Sequence, residues 1–210
     1  MISTLHKDPP MNAHHDPRAL AIIREARHYF VSEGYAGTRI EPIAREACVS
    51  TATLYMLFDS KASLFEAVIK DAANDFSKKL EALKVEGKPS RQLITDILVS
   101  YTEFLADPFV RQMFRLVLSE RPRFSDLVSD FFDIGRGNIA HILIAVMDQL
   151  AEEGLVRFEK ASWAISQLLG MVEHSVLLLP LATNRDPVMS RSCKVLAEDA
   201  VETFWARYGT

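Results

Sequence analysis

The stretch Thr38-Arg39-Ile40-Glu41-Pro42-Ile43-Ala44-Arg45-Glu46-Ala47-Cys48-Val49-Ser50-Thr51-Ala52-Thr53-Leu54-Tyr55-Met56-Leu57-Phe58-Asp59-Ser60-Lys61 decides the fold. It reads as two short helices, a tight turn between them and the opening of a third helix. Thr38-x-x-Glu41 predicts a capping box, in which each side chain satisfies a free backbone N–H at the other's end. Ile40, Ile43, Ala44 and Ala47 form an inward stripe. Glu41 and Arg45, one turn apart, predict an outer ion pair worth roughly 0.2–0.5 kcal/mol. Cys48-Val49 is the turn and Ser50 the next cap. Leu54, Leu57 and Phe58 point inward. At about 100° per residue, Ala52 and Met56 then face away, with Tyr55 and Thr53 on the flanks and Thr51 at the edge.

Outward from this stretch the pattern stays helical. Asp16 caps a first helix, Pro17 takes its first position and Gly34 ends it. Leu20, Ile23, Ala26 and Phe30, with Ile22 and Tyr29, recur at helical spacing. Ser60 caps a helix running to about Lys84. Phe65, Val68, Ala72 and Phe76, and Ile69, Leu80 and Leu83, give it two apolar stripes. Gly87-Lys88-Pro89-Ser90 is the strongest boundary signal. Further helices are expected at Arg91–Ala106, Phe109–Glu120, Ser125–Glu153, Lys160–Leu181 and Pro187–Tyr208. The expected divisions are a mobile arm (1–16), a first domain (17–85) and a helical second domain (86–210).

Composition agrees with an all-α fold. Of 210 residues, 49% are hydrophobic, and the few Gly (8) and Pro (9) cluster between periodic segments. The net charge is −4, and Met1 to Lys61 balances seven cations against seven anions. A globally basic nucleic-acid binder is excluded, so any such surface must be local. Cys48 and Cys193 have no metal or redox spacing and read as reduced thiols of a cytoplasmic protein. No metal or cofactor is implied. Ala161 to Ala182 is apolar, but Glu173, His174 and Pro180 interrupt it, which favours a buried helix over a membrane span.

Two short helices and a tight turn, with an outward polar face on the second, make a helix-turn-helix pattern. The major groove is about 12 Å wide and admits one helix. Thr51, Ala52 and Thr53 are short enough to let a backbone approach, and their methyls and hydroxyls suit thymine methyls, base edges and phosphates. Ser50 and Met56 complete the outward set. It lacks Arg, Asn or Gln for bidentate base contacts, so DNA shape and water must share the readout. Tyr55 and Arg39 suit phosphate contacts. Lys61 sits in a first helical turn, where a lone cation costs roughly 0.3–1 kcal/mol and an arriving phosphate reverses the sign.

Ala26, Phe30, Gly34-Tyr35, Thr38-x-Ile40, Ile43-Ala44, Ala47, Val49-Ser50, Thr53-Leu54-Tyr55, Phe58, Ser60-Lys61 and Leu64 together resemble the DNA-binding domain of the TetR family of bacterial repressors. The resemblance covers Arg18 to Val68. It implies a homodimeric repressor, released from a near-palindromic double-stranded operator by a small, largely apolar effector. It also implies that Thr51, Ala52, Thr53 and Tyr55 face DNA and that Arg39 and Lys61 face phosphates. The sequence departs at Cys48, where the family has Gly. A side chain in a left-handed turn costs about 1 kcal/mol.

The second domain resembles the family less specifically, through Arg115 to Phe124. Family likeness implies dimerisation through the last two helices. On the last one, Val195, Leu196, Ala200, Val201, Phe204, Trp205 and Tyr208 cover more than one face, which itself calls for a partner surface. Expected walls of a ligand pocket are Tyr101, Phe104, Met113, Phe114, Val117, Phe131, Trp163, Gln167 and Met171. Glu173 and His174, polar groups in an apolar helix, need partners in the pocket, the core or the dimer, and His141 is similar. An enzyme is the alternative class, but no nucleophile–base motif, Gly-rich phosphate loop or metal spacing supports it. A helical adaptor without DNA binding is a third reading.

Overall fold

The computed structural model describes residues 16–81, 90–183 and 191–210. The expected arm, the Gly87-Lys88-Pro89 boundary and the start of the last helix at Pro187 lie outside the described residues, as do Leu83 and the side chains of Phe76 and Leu80. No strand occurs among the described residues.

Helix α1 (Pro17–Gly37) begins where Asp16 accepts the Arg18 N–H at 2.8 Å. Gly34 kinks it at φ 71° instead of ending it, and Tyr35 beyond the kink is buried. Ala19, not Leu20, completes the inward stripe, and Leu20 is exposed. The expected capping box does not form. The buried Thr38 hydroxyl donates to the Tyr29 and Gly34 carbonyls at 3.1 and 2.7 Å. It serves the orphan acceptors of α1 and is lost to the next helix. α2 (Ile40–Glu46) therefore starts after Arg39 with no side-chain cap.

The turn after α2 is a Schellman closure: Cys48 N–H donates to the Arg45 carbonyl and Val49 N–H to that of Ala44. Its geometry puts Cys48 at φ 56°, the left-handed conformation expected of it. The Glu41–Arg45 pair is absent, because Arg45 reaches Glu46 instead at 3.4 Å. α3 (Thr51–Leu57) is capped by Ser50, whose Oγ accepts the Thr53 N–H at 3.0 Å. α4 (Lys61–Glu81) opens with Ser60 and Ser63 capping each other's N–H groups, both at 3.1 Å.

α5 (Arg91–Ala106) matches its expected span. α6 (Pro108–Ser119) starts one residue early because Asp107 caps it through the Phe109 and Val110 N–H groups. α7 (Ser125–Glu152) ends in the same closure as α2, here with Gly154 at φ 72°. The apolar run expected as one helix divides. α8 (Ala161–Glu173) passes through a π turn, His174–Leu178, into α9 (Leu179–Thr183). Pro180 explains the division. In an α-helix its ring would strike the carbonyl four residues back, and a wider turn avoids this. α10 (Cys193–Tyr208) packs along α5.

Two cores result. The first joins α1–α4 to Met113, Leu116 and Val117 of α6 and Leu127, Val128 and Phe131 of α7. The second gathers α5, the later part of α7, α8, the π turn and α10. Phe114 packs against both. Ala161–Thr183 is long and apolar enough to cross a membrane. Here Ala164, Ile165, Leu168, Leu169, Val172 and Val176 are spent on the second core.

Candidate nucleic-acid interface and helical cavity

The outward face of α3 follows from its inward one. Leu54 is fully buried and Phe58 nearly so, which turns Thr51, Ala52, Tyr55 and Met56 to solvent. Tyr55 is 50% exposed and Met56 62%. Ser50 and Arg39 are exposed beside them. Thr53 stands on the flank of this face, as its position predicts. It is half-buried and its hydroxyl shares a hydrogen with Ser50 Oγ at 2.9 Å, so the cap already occupies it.

Lys61 is half-buried. Its Nζ donates to the Ala36 carbonyl at 3.2 Å and lies 4.8 Å above the Tyr35 ring. The carbonyl end of α1 thus supplies the negative pole that the start of α4 denies it. Burial first, and then the Arg123 charge, pull its ammonium below the usual lysine range. Arg123 stands over the same Tyr35 ring at 4.6 Å. Tyr35, Phe65 and Phe124 meet at 5.1 Å, two of the contacts edge to face, so the α6–α7 connection is fastened to the head.

A cavity of about 360 Å³ lies between the two cores. α1 contributes Arg27, α4 Ala72, Ala73 and Asp75, and α5 Tyr101, Phe104 and Leu105. From α6 and its cap come Asp107, Phe109, Val110, Met113 and Phe114. α7 adds Phe131, Phe132 and Gly135, and the last wall is Glu173 with Leu177 of the π turn. Tyr101 donates to Glu173 at 2.6 Å. Arg27 grips Asp71 and Asp75, one turn apart on α4, at 2.6 and 2.7 Å.

Of the expected walls, Tyr101, Phe104, Met113, Phe114, Phe131 and Glu173 meet at this cavity. Val117 turns into the first core, and Met171 packs half-buried against the second. His141, Trp163, Gln167 and His174 face solvent, because α8 and the later part of α7 each bury only one side. Gln167 accepts the Tyr208 hydroxyl at 2.6 Å. Arg27, Phe109, Val110 and Phe132 were missed. Phe109 and Val110 lie one turn before Met113 and Phe114, a repeat that could have found them. The polar pattern of Arg27 against Asp71 and Asp75 needs the α1–α4 pairing to be seen. Cys193 is half-buried, and burial followed by Glu103 raises its thiol above the ordinary range.

A short helix with an exposed polar face is held by a bundle that also walls a cavity. Residues 22–68 match the model of bacterial regulatory proteins of the tetR family, and residues 92–210 match that of the C-terminal domain of AefR-like transcriptional repressors. The chain belongs to the TetR family of transcriptional regulators and is not an enzyme. No curated protein sequence matches it. A TetR-family transcriptional regulator from Mesorhizobium loti is similar in fold at TM-score 0.81 and 24% identity, over 95% of this chain and 100% of the other. The flavonoid-responsive regulator FrrA is similar at TM-score 0.70 and 22% identity, over 91% and 97%. Bacillus subtilis FadR in complex with stearoyl-CoA is similar at TM-score 0.66 and 15% identity, over 88% and 96%.

Proposed function

We propose that the chain is a cytoplasmic homodimeric repressor whose two α3 helices enter successive major grooves of a near-palindromic operator, and that a small, largely apolar effector in the cavity releases it. The observation that carries this reading is the shared wall. α1 and α4 support α3 through the first core and also line the cavity. An effector acts only through a difference in affinity between two arrangements, and a wall made of the head's own helices supplies one. The residue set for DNA is Ser50, Thr51, Ala52, Thr53, Tyr55 and Met56 for the groove and Arg39 and Lys61 for phosphates.

Dimerisation draws its support from α8, the π turn and α9, where Trp163, Leu178 and Leu179 are 54%, 58% and 49% exposed. The sequence argument from α10 is weaker than expected, because α5 buries Ala200, Val201 and Phe204 within the same chain. Domain divisions near 85 belong to the same proposal, with the qualification that the first core reaches into α6 and α7. A gel-shift titration with the DNA upstream of its own gene tests the reading. Specific binding that weakens steeply with salt and is lost in Tyr55→Ala supports it. Binding equal to that of unrelated DNA overturns it.

A further inference from the structure

We infer that Arg123, on the connection between α6 and α7, is a DNA-contacting residue that joins Lys61 in holding the operator's phosphate strand. This rests on reading the chain as a DNA-binding repressor, and it adds to the interface a residue from outside the head. The connection carries Arg121-Pro122-Arg123, all three exposed. Among the described residues, neither guanidinium meets a carboxylate. Arg123 stands 4.6 Å over the Tyr35 ring, and Lys61 Nζ stands 4.8 Å from the centre of the same ring. The two cations thus repel each other across less than the Debye length, about 10 Å in 0.1 M salt. Burial and then Arg123 weaken the hold of Lys61 on its proton, while Glu120 and Glu33 act the other way. Neither acid comes within ion-pair distance of Lys61 or Arg123.

Anchoring the connection does not need this arrangement. Phe124 already meets Tyr35 and Phe65 at 5.1 Å, and a neutral side chain at position 123 would cover the ring without repelling Lys61. A second cation beside a first becomes favourable where an anion joins both, and the guanidinium fork is the side chain that fits phosphate oxygens best. Tyr35 leads directly into the turn before α2, where Arg39 is exposed and the Ala36 carbonyl holds Lys61. Arg123 therefore lies beside the residues already assigned to phosphates, and it does not line the cavity. Phosphate contacts fix position and carry no sequence information, so Arg123 adds affinity without changing which operator is chosen. Its place also bears on release. α6 and α7 both line the cavity and their connection carries the contact, so displacing either helix withdraws a phosphate ligand directly.

The test is the salt dependence of operator binding by the full chain, read by fluorescence anisotropy between about 50 and 200 mM KCl. Arg123→Met keeps a stem over Tyr35 and removes the charge, Arg123→Gln is a second neutral variant, and Arg123→Lys keeps a charge. Arg157→Met, at an exposed arginine beyond α7, makes the same change in net charge elsewhere. Both neutral variants should lower the slope of log K against log salt by about 0.9 per bound protomer, while Arg123→Lys and Arg157→Met keep the wild-type slope. Melting temperatures close to that of the wild type show that the variants are folded. An unchanged slope in the neutral variants overturns the inference. So does an equal fall in Arg123→Lys, which marks a packing role, or in Arg157→Met, which marks the overall charge. A wild-type chain without specific operator binding fails the repressor reading, whereas specific binding with an unchanged slope in the neutral variants fails this inference alone.

Discussion

The α3 face and the cavity are built on opposite plans. The face is local. Ser50 to Met56 are consecutive, their orientation is set by one buried leucine, and the closure before them is made by the backbone between Ala44 and Val49. The cavity takes its wall from α1, α4, α5, α6, α7, α8 and the π turn, with partners as distant in sequence as Tyr101 and Glu173. A local surface can change its reading residues one at a time at little cost to the fold. A surface assembled from seven elements changes whenever any of them moves, and this makes it suited to sensing. The two meet in the first core, whose helices hold one and line the other.

The largest expected effects test whether the two cores are one unit. Phe30→Ala and Phe204→Ala each remove a ring that is at most 1% exposed, and each should cost about 3–5 kcal/mol by chemical denaturation. Because Phe114 packs against both cores, a single cooperative transition is expected in both variants. Two separated transitions in Phe204→Ala would show that the head folds independently and would break the link drawn between face and cavity.

Next in size is Arg27→Met, which keeps most of the stem and removes the clamp on Asp71 and Asp75. These carboxylates are 28% and 43% exposed, so water screens part of the loss, and about 1–2 kcal/mol is expected. The sharper readout is the response to effector, since the clamp joins α1 to α4 at the cavity wall. Unchanged release of DNA by effector would remove Arg27 from the coupling. Ser50→Ala should cost about 1 kcal/mol and weaken operator binding more than the fold, because it frays the start of α3 and frees the Thr53 hydroxyl. The smallest effect has the opposite sign: Cys48→Gly should stabilise by up to about 1 kcal/mol and raise the melting temperature, because φ 56° costs glycine nothing.

What could be read from sequence follows the same division. Ser50, Leu54, Phe58 and the left-handed Cys48 were legible because their causes lie within a few residues. Thr38 was misread although its capping pattern is local, since a competing pair of acceptors on α1 is not visible at that spacing. Lys61 was placed in the right turn, but its partner, the Ala36 carbonyl, belongs to another helix. In the cavity, bulky residues of α5 and α6 were found by type. Val117 failed because, one turn beyond Met113 on the same face of α6, it lies past the end of the cavity and packs in the first core. Trp163 and His174 failed for want of a phase: residue type does not say which side of α8 and its π turn is inward.

The π turn at His174–Leu178 makes chain length act as an angle. A residue inserted into an α-helix rotates everything beyond it by about 100° while lengthening it by only about 1.5 Å. Glu173 and Leu177 stand on the cavity side of that wide turn, and Leu178 and Leu179 emerge on the outside. Removing one residue here would leave the composition almost untouched, yet it would swing α9 around its axis and drive the Pro180 ring against the preceding carbonyls. Relatives could therefore trade inner for outer residues at this point by a single-codon insertion or deletion, a route to a new ligand or a new surface that no substitution count would reveal.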